Sequence, residues 1–257
     1  MISFEKSING VSELKNLWLT CFEEDERAVD LFFEKAVQFT DVYCAKCDDK
    51  IVSGLYLINA ELNEKKAHYI FGVATLPEYR GRGIMGNLLE YALDDARRNG
   101  DVYSLLFPAK ESLYNFYEKF GYKALCTAKK RVFTRSELEE AEINENRKSN
   151  ILLWNNNFIE FARKYYEIYG IKTVRDKNSF ALIDENENLA DIFYSSYIDF
   201  DSLKMLVLNN TKAEKLVFTG SSTDELFINE KSVKYGMIKS LDNTEIPSDV
   251  YIGITLN

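Results

Sequence analysis

One stretch of this sequence, GVATLPEYRGRGIMGNLLEYALDDARRNG from Gly72 to Gly100, constrains the fold more than any other. After its basic turn, apolar residues recur every three or four positions, which predicts a long amphipathic helix with one apolar stripe. The residues of that stripe are Ile84, Met85, Leu88, Leu89, Ala92, Leu93 and Ala96. Two arginines followed by Asn99 and Gly100 are typical of a helix end. With the preceding segment AHYIFGVATL, the stretch predicts a strand, a tight turn and a helix.

The turn contains Arg80 and Arg82 beside Gly81 and Gly83, although the chain carries a formal net charge of −9. The first amides of a helix are unpaired and carry a partial positive charge, and glycines allow the backbone to approach a diphosphate closely. Arginines would add charge-assisted contacts to phosphate oxygens. The turn therefore predicts a site for an anionic ligand, and a solvated basic turn is the alternative.

Two common phosphate-binding motifs can be compared with this turn. A Walker loop, G-x-x-x-x-G-K-[ST], is absent from the sequence. The dinucleotide fingerprint G-x-G-x-x-G matches residues 81–86 letter for letter, but in a Rossmann fold it follows the first strand and precedes an acidic residue about twenty positions on. Here the turn follows the fourth predicted strand, which disfavours a nucleotide-binding oxidoreductase.

The order of the predicted elements indicates an α/β protein with two halves. Residues 1 to about 135 read as β-α-α-β-β-β-α-β-α-β, and a highly charged segment follows at 136–150. Residues 151–257 read as α-β-β-β-α-β-β-β, with VYIGITL at 250–256 as the last strand. The second half repeats the element order of the first without its glycine turn, which indicates a degenerate second copy of the same unit.

The composition is that of a globular protein, with 46% hydrophobic and 28% charged residues. The net charge of −9 argues against nucleic-acid or anionic-membrane partners. It suits a cationic substrate, although acidic surfaces also serve solubility. No run approaches about 20 apolar residues, the length of a transmembrane helix, and the N-terminus lacks the pattern of a secretory signal. We therefore expect a cytoplasmic protein whose cysteines are thiols.

Cys44, Cys47 and His68 are the remaining candidates for metal or redox chemistry. The two cysteines form C-x-x-C in a predicted hairpin, where positions three apart point to opposite faces of a strand. A redox pair belongs at a helix N-terminus, and no second pair completes a zinc site, so we expect no metal. His68, the only histidine, is predicted on a strand, where a structural role is usual and acid–base catalysis is the alternative.

Two segments resemble the motifs of the GCN5-related N-acetyltransferases (GNAT). VATLPEYRGRGIMGNLL is similar to their acetyl-CoA motif, [RQ]-x-x-G-x-[GA], with Arg80 and Gly83 at the first two fixed positions and Met85 at the third. FYEKFGY, from Phe116 to Tyr122, resembles their second motif, in which a tyrosine precedes x-[KR]-x-G-[FY]. A large apolar residue at the third position is familiar from the enhanced-intracellular-survival type, which has a second acetyltransferase-like domain.

The resemblance implies a GNAT fold, a mixed and mostly antiparallel sheet flanked by helices, followed by a second, degenerate GNAT-like α/β domain. It implies an acetyl-CoA-binding catalytic domain at residues 1–135, a charged linker at 136–150 and the degenerate domain at 151–257. Gly72, inside a strand, fits a bulge that would open the sheet for the cofactor arm. The residues expected to bind acetyl-CoA, the co-substrate, are Val73, Ala74, Thr75, Arg80, Gly81, Arg82, Gly83, Ile84, Met85, Gly86 and Ser112.

The resemblance also gives Tyr117 the role of general acid, and a packed core aromatic is the alternative. A phenol, with a pKa near 10, can return a proton to the thiolate of coenzyme A, while a strand N–H near Ala74 would stabilise the negative acetyl oxygen. No motif marks the base that deprotonates the amine. The candidates left open are Glu61, Glu64, His68 and the C-terminal carboxylate of Asn257.

These expectations define a function. We expect an N-acetyltransferase that moves an acetyl group from acetyl-CoA to a primary amine of a cationic acceptor, either a small molecule or a peptide. The alternative is a non-catalytic acyl-CoA-binding or interaction protein that retains the fold.

Overall fold

A computed structural model of the chain describes residues 1–143 and 149–256. The helices are α1 (Val11–Cys21), α2 (Glu26–Leu31), α3 (Ile84–Arg98), α4 (Glu111–Glu118), α5 (Arg135–Glu140), α6 (Asn156–Ile168) and α7 (Phe200–Asn210). The strands are β1 (Ile2–Lys6), β2 (Thr40–Cys47), β3 (Lys50–Leu62), β4 (Lys65–Thr75), β5 (Tyr103–Leu106), β6 (Thr127–Thr134), β7 (Leu152–Trp154), β8 (Lys172–Arg175), β9 (Ser179–Asn186), β10 (Leu189–Tyr197), β11 (Lys215–Gly220), β12 (Ser232–Lys234) and β13 (Met237–Ser240). No helix within the described ranges is long and apolar enough to cross a membrane.

Contacts between residues group the chain into two compact units. The first unit combines Met1–Ala124, Leu153–Phe161 and Met237–Ile246, and the second combines Leu125–Leu152, Ala162–Gly236 and Pro247–Asn257. Each unit therefore gathers segments that are far apart in sequence, whereas the domain ranges expected from the sequence, 1–135 and 151–257, are continuous.

The first unit is built on a mixed sheet. Its strands lie in the order β1-β2-β3-β4-β5-β13, and β7 pairs with β3 off this path. Neighbours along the path run antiparallel except for β4 and β5, which are parallel. The stripe predicted for α3 is buried apart from Met85, which is half-buried. The predicted mixed, mostly antiparallel sheet flanked by helices is confirmed.

Aromatic residues fill the core around α1 in the first unit. The ring of Trp18 lies 4.9 Å from that of Phe32 and 5.2 Å from those of Tyr56 and Phe71, measured between centroids. Phe32 also begins a short π-helical segment, Phe32–Ala36, after α2. Rings packed at these distances stabilise a core by more than the burial of their apolar area alone. The cluster therefore supports β4 around Phe71.

The second unit contains a second mixed sheet, in the order β12-β6-β11-β10-β9-β8. Among the described strand pairs of this sheet, β10–β11 is parallel and the others are antiparallel. The strand expected at 250–256 is wrong. These residues are buried, but within the described ranges the strand-like pairing of this segment consists of two isolated bridges, Cys126↔Val250 and Ile151↔Tyr251. Positive φ angles of 76° at Gly253 and 56° at Leu256 interrupt the extended backbone.

Strand β6 falls in the expected first domain but lies in the second sheet, and β13 falls in the expected second domain but lies in the first sheet. β6 pairs with β11 in the second sheet, where Phe133 is 3% exposed within the core. β13 pairs with β5 in the first sheet, where Met237 and Ile238 are fully buried. Lys123 still exchanges backbone hydrogen bonds of 2.8 and 2.9 Å with Ile238. The chain therefore leaves the first unit at Leu125, and β13 takes the place next to β5.

Candidate functional site

Strands β4 and β5 separate at one end, which creates an open backbone edge. Their parallel pairing runs from Ala67↔Tyr103 to Ile70↔Leu106, but β4 continues to Thr75. In the described part of the chain, the last five residues of β4 have no strand partner on this side. Their backbone groups can therefore pair with an extended ligand, as a further strand would.

A bulge at Gly72 shapes this edge. The register between β3 and β4 shifts between Gly54 and Tyr56, so that two residues of β4 oppose one of β3. Gly72 has a φ of 58°, and a Cβ there would lie 2.7 Å from the ring of Tyr56 and 2.9 Å from that of Trp18. Only glycine fits this backbone and this packing. The predicted bulge is confirmed.

Side chains distant in sequence hold the end of β4. The hydroxyl of Ser53 donates to the carbonyl oxygen of Ala74 at 2.9 Å, and it lies 2.8 Å from the hydroxyl of Thr75. The carbonyl oxygen of Thr75 accepts from Arg80 Nε at 2.9 Å and from the thiol of Cys21 at 3.4 Å. Sequence reasoning missed Ser53 and Cys21, because neither belongs to a motif.

The glycine turn leads directly into the N-terminus of α3. After the 3-10 turn Pro77–Tyr79, Gly81 and Gly83 have φ angles of 74° and 73°. The first helical hydrogen bond joins the amide of Asn87 to Gly83 O at 3.1 Å. No side chain among the described residues caps the helix, and its first turn has no acidic residue. The free amides and the helix dipole therefore favour an anion at this point.

The two arginines of the turn are exposed and also organise its backbone. Arg80 contacts Thr75 O through Nε, as described above. Arg82 donates through Nη2 to the carbonyl oxygen of Glu78 at 2.8 Å, and its guanidinium lies 5.1 Å from the ring centroid of Tyr79. These contacts stiffen the turn beside the uncapped helix. Contacts from the arginines to phosphate oxygens stay a prediction.

The remaining residues of the predicted cofactor turn have packing roles as well. The side chain of Ile84 is buried and that of Met85 is half-buried, so a ligand would meet their backbone amides. A Cβ on Gly86 would lie 2.9 Å from the ring of Phe120. This contact explains the glycine and brings the first turn of α3 against the chain that follows α4.

Tyr117 lies on α4 and is 5% exposed. Its ring packs edge-on against Tyr122 at 5.8 Å and against Phe116 at 5.1 Å. Burial raises the pKa of the Tyr117 phenol to about 12, so the group is protonated at neutral pH. Ser112, the other predicted residue on this helix, is exposed in its first turn. Their roles at the cofactor stay predictions.

The structure separates the candidate bases from the end of β4. Glu61 pairs with Lys66, eight residues before Ala74, and at about 3.3 Å per residue this is roughly 25 Å away. Glu64 lies in the turn beyond it. His68 is fully buried and about 20 Å from Ala74 by the same rise. None of the three can reach an amine at Ala74, and Asn257 lies outside the described residues.

The C-x-x-C pair lies within a strand and not in the first turn of a helix. Cys44 and Cys47 both lie on β2, and all four cysteines are free thiols. Cys44 is fully buried, and burial raises the pKa of its thiol to about 12. This cysteine is therefore a neutral core residue rather than a thiolate nucleophile.

Residues 7–125 match the family model of the acetyltransferase (GNAT) domain. This part of the chain is a GNAT acetyltransferase domain. The site described above, from the split between β4 and β5 to Tyr117, lies entirely within the matched range. The predicted family is therefore confirmed, and with it the enzyme class of acyltransferase.

Solved structures share the GNAT fold over nearly the whole chain. A probable N-acyltransferase from Enterococcus faecalis aligns over 94% of this chain and 73% of its own, with a TM-score of 0.72 and 14% identity. A GCN5-related N-acetyltransferase from Kribbella flavida aligns over 94% of this chain and 72% of its own, with a TM-score of 0.70 and 16% identity. Eis1 from Mycobacterium abscessus aligns over 94% of this chain and 74% of its own, with a TM-score of 0.64 and 11% identity. A comparison with curated protein sequences finds no match.

Proposed function

We propose that this protein transfers an acetyl group from acetyl-CoA to a primary amine of a cationic acceptor. One observation carries the donor assignment: the open edge of β4 leads, through two glycines with positive φ, to the uncapped N-terminus of α3. An extended arm ending in a diphosphate fits this arrangement, because strand groups can pair with the arm and free helix amides can bind the phosphates.

The chain's own groups supply the chemistry around a bound acetyl thioester. Backbone N–H groups near Ala74 would stabilise negative charge on the acetyl oxygen. The hydroxyl of Ser53 fixes the carbonyl of Ala74, which keeps those amides in place. The backbone of Gly81 and Gly83 and the first amides of α3 would hold the diphosphate.

Tyr117 would donate the proton that the departing thiolate needs. Its pKa of about 12 keeps the phenol protonated, and its burial excludes competing water. The acceptor amine has an ordinary pKa of about 10.4 and must lose a proton before attack. With Glu61, Glu64 and His68 out of reach, solvent near the end of β4 is the simplest destination for that proton.

The connection after α1 supports a cationic acceptor. The thiol of Cys21 touches Thr75 O at 3.4 Å, so this connection begins beside the end of β4. The residues that follow are Phe22, Glu23, Glu24, Asp25 and Glu26, four of them acidic. Asp25 is engaged by Arg27 and caps α2, whereas Glu23 is exposed. Negative charge here would attract a protonated amine.

Thiol release tests the proposal directly. The protein is incubated with acetyl-CoA and a panel of polyamines, aminoglycosides and lysine peptides, with neutral and acidic amines as controls. We expect amine-dependent release of coenzyme A, with cationic amines preferred. Tyr117→Phe keeps the ring and should lower kcat about a hundredfold while the Kd for acetyl-CoA changes little. Binding of acetyl-CoA without turnover on any amine would favour a non-catalytic acyl-CoA-binding protein instead.

A further inference from the structure

A row of polar residues crosses the first sheet perpendicular to its strands. Asn59 on β3 is in register with His68 on β4, His68 with Ser104 on β5, and Ser104 with Lys239 on β13. Directly paired residues share a face of the sheet, so the four side chains lie in one line. His68 and Ser104 are fully buried, where polar groups are costly unless they are hydrogen-bonded.

His68, inside this row, is tied to Asp101 in the loop before β5. His68 Nδ1 lies 2.6 Å from Asp101 Oδ2, and Lys66 Nζ lies 2.7 Å from Asp101 Oδ1. Within the described residues His68 Nε2 has no hydrogen-bond partner. The Lys66–Asp101 ion pair and the His68–Asp101 hydrogen bond tie β4 to the loop before β5, at the start of the pairing that ends at Ile70 and Leu106.

Ser104 connects the row to the helix that carries Tyr117. Its hydroxyl lies 2.6 Å from the hydroxyl of Tyr122, and this hydrogen bond is buried. Tyr122 is 2% exposed, and its amide donates to the carbonyl oxygen of Tyr117 at 3.3 Å. The two tyrosine rings pack edge-on at 5.8 Å. The hydrogen bond thus links Tyr117, through Tyr122, to β5.

We propose that Ser104 and Tyr122 are positioning residues, whose buried hydroxyl pair holds Tyr117 at the place where β4 and β5 separate. This inference rests on the proposed role of Tyr117 as general acid. The helix that carries Tyr117 has only eight residues and no side-chain cap at Lys110, so it has little stability of its own. A shift of about 1 Å in an acid can cost up to about a hundredfold in rate.

The test compares two tyrosine-to-phenylalanine variants that each remove one hydrogen-bonded hydroxyl. Tyr122→Phe breaks the bond to Ser104. Tyr103→Phe is the control, and Tyr103 is the neighbour of Ser104 on β5. It breaks a hydrogen bond of 2.8 Å from the Tyr103 hydroxyl to the carbonyl oxygen of Glu245. We expect Tyr122→Phe to lower kcat about tenfold or more with KM for acetyl-CoA nearly unchanged, and Tyr103→Phe to leave both constants nearly unchanged. Equal loss of kcat in the two variants would mean a general structural effect and would overturn the proposal.

A double-mutant cycle separates positioning from additive damage. If Tyr122 acts through Tyr117, then Tyr122→Phe should cost almost nothing in a Tyr117→Phe background. A further fall of about tenfold in that background would contradict the proposal. Ser104→Ala should reproduce the kcat loss of Tyr122→Phe, so the conclusion does not depend on one variant folding.

The cycle also distinguishes this inference from the proposed function. A wild-type kcat in Tyr117→Phe would show that Tyr117 is not the general acid. The positioning role of Ser104 and Tyr122 would then be disproved as well. A large loss in Tyr117→Phe together with wild-type kcat in Tyr122→Phe would overturn the positioning role alone.

Discussion

The buried hydroxyl of Ser53 donates a hydrogen bond of 2.9 Å to the carbonyl oxygen of Ala74, across the irregular end of the β3–β4 pair. The bulge at Gly72 alters the regular pairing near this point. Ser53 is fully buried, so no water can replace its hydroxyl without a rearrangement. This contact keeps the bulged strand in one position while its other edge stays open.

Ser53→Ala should weaken acetyl-CoA binding as well as the fold, because it leaves the carbonyl of Ala74 without this donor. We expect a loss of about 1–3 kcal/mol in the free energy of unfolding and a several-fold higher Kd for acetyl-CoA. Thr40→Val is the matched control. Thr40 lies on β2, and its buried hydroxyl donates to the carbonyl oxygen of Ala36 at 2.8 Å. Equal effects on Kd in both variants would argue against a specific role for Ser53.

Gly83→Asp should abolish binding of acetyl-CoA. Its carboxylate would stand at the uncapped end of α3, where it would repel a diphosphate and occupy the free amides. Gly100→Asp is the control at the other end of the same helix, because Gly100 also has a positive φ, 88°, and a Cβ there would meet only open space. Melting curves with and without acetyl-CoA measure the effect. A normal ligand-induced shift in Gly83→Asp would disprove the assignment of this turn.

Gly72→Ala should destabilise the protein far more than Gly81→Ala. Both positions have positive φ, which costs an alanine about 1–2 kcal/mol. Only at Gly72 would the new methyl also collide with Tyr56 and Trp18, adding about 1–3 kcal/mol of overpacking. Urea unfolding of the two variants measures the difference, and equal losses would show that the bulge tolerates a side chain.

Asp101→Asn should make the free energy of unfolding depend less on pH in the acid range. Burial opposes ionisation of Asp101, but hydrogen bonding and charge from His68 and Lys66 outweigh it and lower the pKa of this carboxyl. A lowered folded-state pKa gives stability above the unfolded pKa, about 3.9, that is lost as pH falls through the folded value. Without the carboxylate, the free energy of unfolding should be smaller at neutral pH and should fall less steeply below about pH 4.

Urea unfolding at a series of pH values checks this prediction, with the exposed Asp94→Asn as control. Curves for Asp101→Asn that run parallel to the wild-type curve down to acid pH would show that Asp101 does not contribute in this way.

Local features of the site were predictable from sequence because local chemistry specifies them. The apolar stripe of α3 and the glycines at 81 and 83 define a helix and a turn whose geometry depends only on neighbouring residues. Gly72 within a strand likewise indicated a bulge. Ser53 and Tyr122 were not recognised as supporting residues, because their partners, Ala74 and Ser104, are 21 and 18 positions away.

The sequence alone determined the order of nearly all helices and strands, the turn and the family, since each depends on local periodicity or a short motif. Only the tertiary structure decided which strands pair. β6 joins the second sheet and β13 the first, where Phe133 and Ile238 are buried in apolar cores, and the sequence of a strand carries no local record of its partner. Residues 250–256 were expected to form a strand because local sequence does not specify whether a segment finds a pairing partner. In the structure they form a buried segment whose backbone bends at Gly253.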